Sequence, residues 1–175
     1  METTERIVEA YVRYVKEWAT IPNIKCGGQK EIDLFAINPA NGDRYHIEST
    51  VSISQNYRAL TTRTYEPGDH KKRGKAARAR RTLGFFVKEK FEAPGVKVAL
   101  AKYCDGRPCR KVIVIWEWGK GVEEAAAEHG IELWDFRQIL RDIAKVGRNK
   151  RTYFGDDTLR TLTLFAKAFP EFEVR

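Results

Sequence analysis

An α/β fold with a mixed central sheet flanked by helices is predicted by three features of the chain. An amphipathic helix opens it, strand-like runs joined by a strong turn signal follow, and strand-like and helix-like segments then alternate toward the end. The sequence has 175 residues, of which 42% are hydrophobic, enough for one respectable core. A single domain over residues 1–175 is therefore expected, with its core in 1–134 and a helical extension in 135–175.

The first element is a helix from Thr4 to Trp18. Ile7, Val8, Tyr11, Val12, Tyr14, Val15 and Trp18 recur at helical spacing and make one wide apolar face, with Thr3 or Thr4 as the cap. Ile21 to Cys26 reads as a short strand ending at Gly27-Gly28. Glu31 to Ile37 and Arg44 to Ile53 read as two further strands, and Asn41-Gly42 behind Pro39 is a hairpin signal between them. After a polar connection comes a basic helix running toward Phe91. Pro94-Gly95 punctuates before Val96 to Tyr103 and Arg110 to Trp118, which read as a hairpin turned by Asp105 to Pro108. Val122 to His129 is a short helix stopped by Gly130, and Ile131 to Trp134 a short strand. Asp135 caps a helix through Lys145, and Asp156-Asp157 opens a last helix that Pro170 ends. No internal repeat, low-complexity tract or interdomain linker interrupts this order.

The hairpin sets Asp33 and Glu48 on neighbouring strands, where two carboxylates repel unless a cation or a proton is shared between them. Alternation puts His46, Glu48, Thr50 and Ser52 on one face of their strand and Ile47, Ser49, Val51 and Ile53 on the other. A polar face inside a sheet is costly unless it binds something, which favours a site. His46 reads as a structural or substrate-contacting residue rather than a metal ligand.

Charge is distributed unevenly. The formal net charge is +8. From Ile53 to Glu92 there are eleven Lys or Arg against four Asp or Glu, so nearly all of the excess lies in that segment. Its centre carries Lys71, Lys72, Arg73, Lys75, Arg78, Arg80 and Arg81 with no acid between them. In isolation such a run reads as a solvated basic face; because it follows directly on the acidic strand pair, these seven residues are expected instead to hold a nucleic-acid backbone without reading its sequence.

The order helix, Gly27-Gly28-Gln29-Lys30-Glu31-Ile32-Asp33, hairpin, Ile47-Glu48-Ser49-Thr50 resembles the core of the PD-(D/E)xK, or restriction-endonuclease-like, nuclease superfamily. The resemblance implies a restriction-endonuclease-like core of αβββαβ order, here with an extra hairpin and C-terminal helices. It implies a Mg²⁺- or Mn²⁺-dependent endonuclease acting on DNA, with Asp33, Glu48 and the Ser49 carbonyl as metal ligands. Relatives often add a Glu from the first helix through water, and Glu5 is the better placed candidate beside Glu9. The superfamily's motif lysine is replaced by Thr50, which can bond a water but carries no charge. Lys30, or Lys71, Lys72 or Lys75, would have to supply the cation, or Gln29 would orient the water with a metal alone lowering its pKa. The alternatives are a catalytically inactive nucleic-acid-binding module that keeps the nuclease fold, and an α/β protein whose basic helix meets an acidic partner.

Cutting both strands of a duplex calls for two active sites, so a homodimer is compatible with this reading. Trp116, Trp118, Trp134 and Tyr153 would serve its interface or the core. No apolar stretch approaches the ~20 residues that span a bilayer, and Met1 to Arg6 does not read as a signal sequence. A soluble, cytoplasmic protein without membrane contact is expected. A charged fraction of 32% with one Met is compatible with a thermophilic source. Cys104 and Cys109 bracket the Asp105 to Pro108 turn, so structural thiols or a disulfide across the hairpin are expected ahead of a metal site.

Overall fold

The structure is a computed structural model that describes residues 2–54, 58–72, 76–149 and 154–169. Helix α1 (Thr3–Ala10) continues without a break into a π-helical turn, Tyr11–Val15, and so ends before Trp18. Its first turn is closed by the Glu5 carboxylate, which accepts from the Glu2 backbone N–H at 2.8 Å. The N-cap is Glu2, not Thr3 or Thr4, because a glutamate three residues into the helix can reach back to the free amide.

Strands β1 (Ala19–Cys26), β2 (Lys30–Ile37) and β3 (Arg44–Thr50) form an antiparallel meander. β5 (Cys109–Ile115) and β7 (Ile131–Asp135) add parallel to it, giving a five-stranded mixed sheet in the order β1-β2-β3-β5-β7. A second, two-stranded parallel sheet joins β4 (Ala59–Leu60) to β6 (Glu117–Trp118). Pro22 lies within the edge strand β1, where a missing N–H is tolerated.

Helices cover both faces of the large sheet. On one, α1 and its π turn pack with α6 (Phe136–Asn149) and α7 (Asp157–Ala168) over Leu34, Tyr45, Ile47, Val112 and Val114. The extension beyond residue 134 thus shares its core with the first helix. Trp116 and Trp134 pack against this cluster and Trp118 against a second one, so all three serve packing within the chain, while Tyr153 lies outside the described residues. The opposite face is covered by α4 (Pro94–Cys104), by α5 (Val122–Glu128), and by a helical segment that begins as α3 (Leu83–Phe85) and winds into a π-helix, Phe86–Phe91. Asp156 caps α7, its carboxylate accepting from the Leu159 N–H at 2.8 Å. Among the described residues no helix is long and apolar enough to cross a membrane.

Two expectations are overturned. Residues 94–104 are helix α4, not the first strand of a hairpin, and β5 pairs with β3 and β7 instead. The alternating run Val96-Lys97-Val98 imitates a strand, yet Val96 and Ala99 are buried at helical spacing while Val98 is exposed. Pro94 starts the helix where its missing N–H costs nothing. Gly95 is there because a Cβ would stand 2.2 Å from the Gly27 carbonyl oxygen, so only glycine lets α4 approach the β1–β2 turn. Cys104 and Cys109 accordingly flank a helix-to-strand turn, and both are free thiols.

The basic helix is likewise broken. A 3₁₀ turn (Asp69–Lys71), the single turn α2 (Ala76–Ala79) and then α3 replace one continuous helix. Thr61 interrupts it: its N–H donates to the Arg81 carbonyl at 3.0 Å, and its carbonyl accepts from the Leu83 N–H at 2.9 Å. That bridge requires extended backbone around Thr82, which no helix can supply, and the run of like charges gives little helical preference to oppose it.

Candidate active site

The β2–β3 ladder stops at Leu34↔Ile47, one residue before the two carboxylates. Beyond that point the side chains take the backbone groups that the strands relinquish. The Ser49 N–H donates to Asp33 Oδ2 at 2.9 Å, and the Asp33 N–H lies 3.4 Å from Glu48 Oε1. β3 meanwhile stays paired to β5 through Thr50, so the sheet opens on one side only and its opening is lined by Asp33. Glu48 is fully buried behind it.

Lys90 bridges the pair. Its ammonium stands 3.1 Å from Asp33 Oδ1 and contacts Glu48 Oε2. The π-helical winding explains how it gets there: the Glu92 N–H reaches back five residues to the Val87 carbonyl, and the wider turn lets consecutive Glu89 and Lys90 both face the sheet. Glu89 binds the Lys30 ammonium and accepts from the Tyr65 hydroxyl at 2.7 Å. Lys30, expected to bring a cation to the carboxylates, is thus paired to Glu89, and Lys90 takes that place. Under the function proposed below, Glu89→Gln is expected to lower turnover about three- to tenfold with nucleic-acid affinity unchanged, since it loosens the helix that aims Lys90. An equal fall in affinity would show that Glu89 has another role.

His46 completes the buried layer. Its Nε2 lies 2.6 Å from Glu48 Oε1, and its ring packs edge-on against Phe91. Burial, and then the Lys90 charge, push its pKa down to about 3, so the imidazole is neutral and its proton sits on Nε2 facing the carboxylate.

The acids are driven the other way. Burial first, then repulsion from Glu48, raise the Asp33 pKa from 3.8 to about 7 despite the opposing Lys90 charge. Burial also raises that of Glu48, with Lys90 opposing. Glu5, lining the same cavity, is raised by burial and by the Asp33 charge among lesser causes. With both carboxylates of the pair ionised, one ammonium faces two negative charges, so a proton or a further cation is favoured there. An acid with a raised folded-state pKa favours folding below its unfolded value and loses that contribution as pH rises toward 7; the neutral His46 works in the opposite sense. In chelator, Asp33→Asn should gain stability over wild type as pH goes from 4 to 7.5, by up to roughly 4 kcal/mol. A difference that stays flat in denaturant titrations across that range would mean Asp33 titrates normally.

Thr50 takes two hydrogen bonds from Arg81 Nη1, on its carbonyl and its hydroxyl oxygen. Asp33, Lys90, Lys71, Arg80 and Arg81 all line one open cavity of about 780 Å³. Of the other expected backbone contacts, Lys72 pairs with Asp69 outside this cavity and Arg78 is exposed away from it. Arg73 and Lys75 lie outside the described residues.

The donors suit a hard divalent cation. Mg²⁺ is held by one or two carboxylates and keeps several waters, and an acid pair left short of positive charge is what such an ion relieves. Among the described residues no group of three or more His, Cys, Asp or Glu could hold a metal, so the set is the Asp33–Glu48 pair and backbone oxygen, with Glu5 reaching at most through water. Lys90 would have to withdraw from Glu48 for an ion to touch both acids.

No family model matches the chain, and no curated protein matches it. A solved structure described as a protein of unknown function, AF1548, is similar to it with a TM-score of 0.44 and 15% identity, covering 94% of this chain and 96% of that one.

Proposed function

We propose that the protein is a metal-dependent endonuclease of the PD-(D/E)xK type in which the motif lysine has moved from β3 to the helix carrying Lys90. The observation that carries this reading is the Lys90 ammonium on both Asp33 and Glu48, at the point where β2 and β3 part. The order α1, β1 to β3, α4, β5 and the cations around the carboxylates support it as well.

Asp33, Glu48 and the Ser49 carbonyl would hold Mg²⁺ or Mn²⁺, which when bound supplies a water acidic enough to attack phosphorus at neutral pH. His46 fixes the Glu48 carboxylate through Oε1, leaving Oε2 to Lys90. Lys90 has three N–H donors. Two meet the carboxylates in the metal-free site; withdrawn from Glu48 to admit the metal, Lys90 would have donors to spare for a water or a phosphoryl oxygen. Lys71 and Arg80 hold the nucleic-acid backbone beside the site, and DNA is the substrate this reading favours. A second copy of the chain would supply the site for the other strand.

Cleavage of supercoiled plasmid and of a branched synthetic duplex, with Mg²⁺, Mn²⁺ or chelator, tests the reading. Products that require metal support it. Salt-sensitive binding without products would leave the nucleic-acid-binding module that Thr50 suggests.

A further inference from the structure

We propose that Arg81 is a built phosphate clamp, holding the two non-bridging oxygens of a substrate backbone phosphate next to the carboxylates. This rests on the nucleic-acid reading above, and goes beyond it by separating Arg81 from the loosely held cations around it. Three observations carry it.

First, the arginine is fixed at both ends. Its backbone is tied by Thr61, whose N–H and hydroxyl both donate to the Arg81 carbonyl, at 3.0 and 3.2 Å. Its guanidinium is tied by the carbonyl and hydroxyl of Thr50. Second, its charge is unanswered. Among the described residues no carboxylate forms an ion pair with it, and only Nη1 has a protein acceptor, so the other guanidinium nitrogens keep their N–H groups free. Glu2 lends it some field across the cavity but no contact. Third, the group is half-buried yet lines the same cavity as Asp33 and Lys90. A partly desolvated cation that the protein leaves unpaired is costly, and an entering anion relieves that cost. The planar fork with parallel donors matches two phosphate oxygens, which a lysine cannot do.

Thr50 then has a role that does not depend on replacing lysine. It aims the guanidinium. Lys90 serves the carboxylates, Arg81 the phosphate, and the two functions of a single motif lysine are divided between two residues.

The test is a coupling cycle between the protein and individual phosphates. A branched synthetic duplex carries a neutral methylphosphonate at successive positions, and its affinity is measured in chelator for wild type, Arg81→Gln and Arg81→Lys. At one position neutralisation should weaken wild-type binding about tenfold and Arg81→Gln binding less than twofold, with Arg81→Lys between. Arg81→Gln should also lower the salt slope of log affinity by about one. Thr50→Val, which removes the hydroxyl anchor while keeping the shape, should reproduce part of the loss at that same phosphate. Equal penalties in wild type and both variants at every position would overturn the clamp, as would absence of wild-type binding. The two readings separate cleanly. Coupling without metal-dependent cleavage would keep the clamp and end the nuclease, whereas cleavage without coupling would do the reverse.

Discussion

Lys90→Met is expected to reduce metal-dependent cleavage by at least a hundredfold and to destabilise the metal-free protein. Glu48 is fully buried and Asp33 nearly so, and Lys90 is the cation on both. Removing one partner of a buried pair typically costs about 3–5 kcal/mol. Here the loss should fall to the low end, on the order of 3 kcal/mol, because Asp33 already titrates near neutrality and can take up a proton in place of the lost cation. Methionine keeps the length and apolar body of lysine, so the effect is one of charge. Added Mg²⁺ should recover much of the stability and little of the rate. Unfolding midpoints in chelator and in Mg²⁺, alongside single-turnover cleavage, separate the two.

Asp33→Asn and Glu48→Gln carry the second large effect. Both should abolish cleavage, by 10³-fold or more, while leaving affinity for nucleic acid within about threefold of wild type. Binding should hold because Lys71, Arg80 and Arg81 are untouched and the amides are nearly isosteric. Their stabilities should part company. Asp33→Asn relieves a repulsion, whereas Glu48→Gln replaces an acceptor of the His46 Nε2 proton by an amide that must rotate to present its oxygen. Cleavage retained by either variant would remove that residue from the chemistry.

Much of this arrangement was legible in the sequence. The carboxylate pair followed from a hairpin signal and strand alternation, because register in a half-buried sheet is dictated by its apolar residues, and Leu34 and Ile47 point to one core while Asp33 and Glu48 point to the other. That Glu5 faces the same cavity was readable from its place at the edge of the apolar face of α1. Lys90 was not, because a search for the missing cation near Thr50 or in the densest basic run passes over it. One signal was present: Lys90 stands four residues after buried Phe86 and beside buried Phe91, so it occupies an apolar stripe where lysine is rarely found without a partner. The π turn hid the rest by shifting the helical phase. Helix α4 was missed for a different reason. Its β-branched residues alternate with polar ones, and only its tertiary contact, Gly95 on Gly27, reveals why the chain turns helical there.

Lys90 is proposed to perform, from a helix, the work of a lysine at position 50. Single-turnover cleavage of a branched duplex in Mg²⁺ by wild type, Lys90→Met, Thr50→Lys and the double variant tests it most directly. Lys90→Met should be nearly inactive, and adding Thr50→Lys should restore its rate at least tenfold, since Thr50 shares a strand face with Glu48. Cleavage by Lys90→Met at the wild-type rate would contradict it.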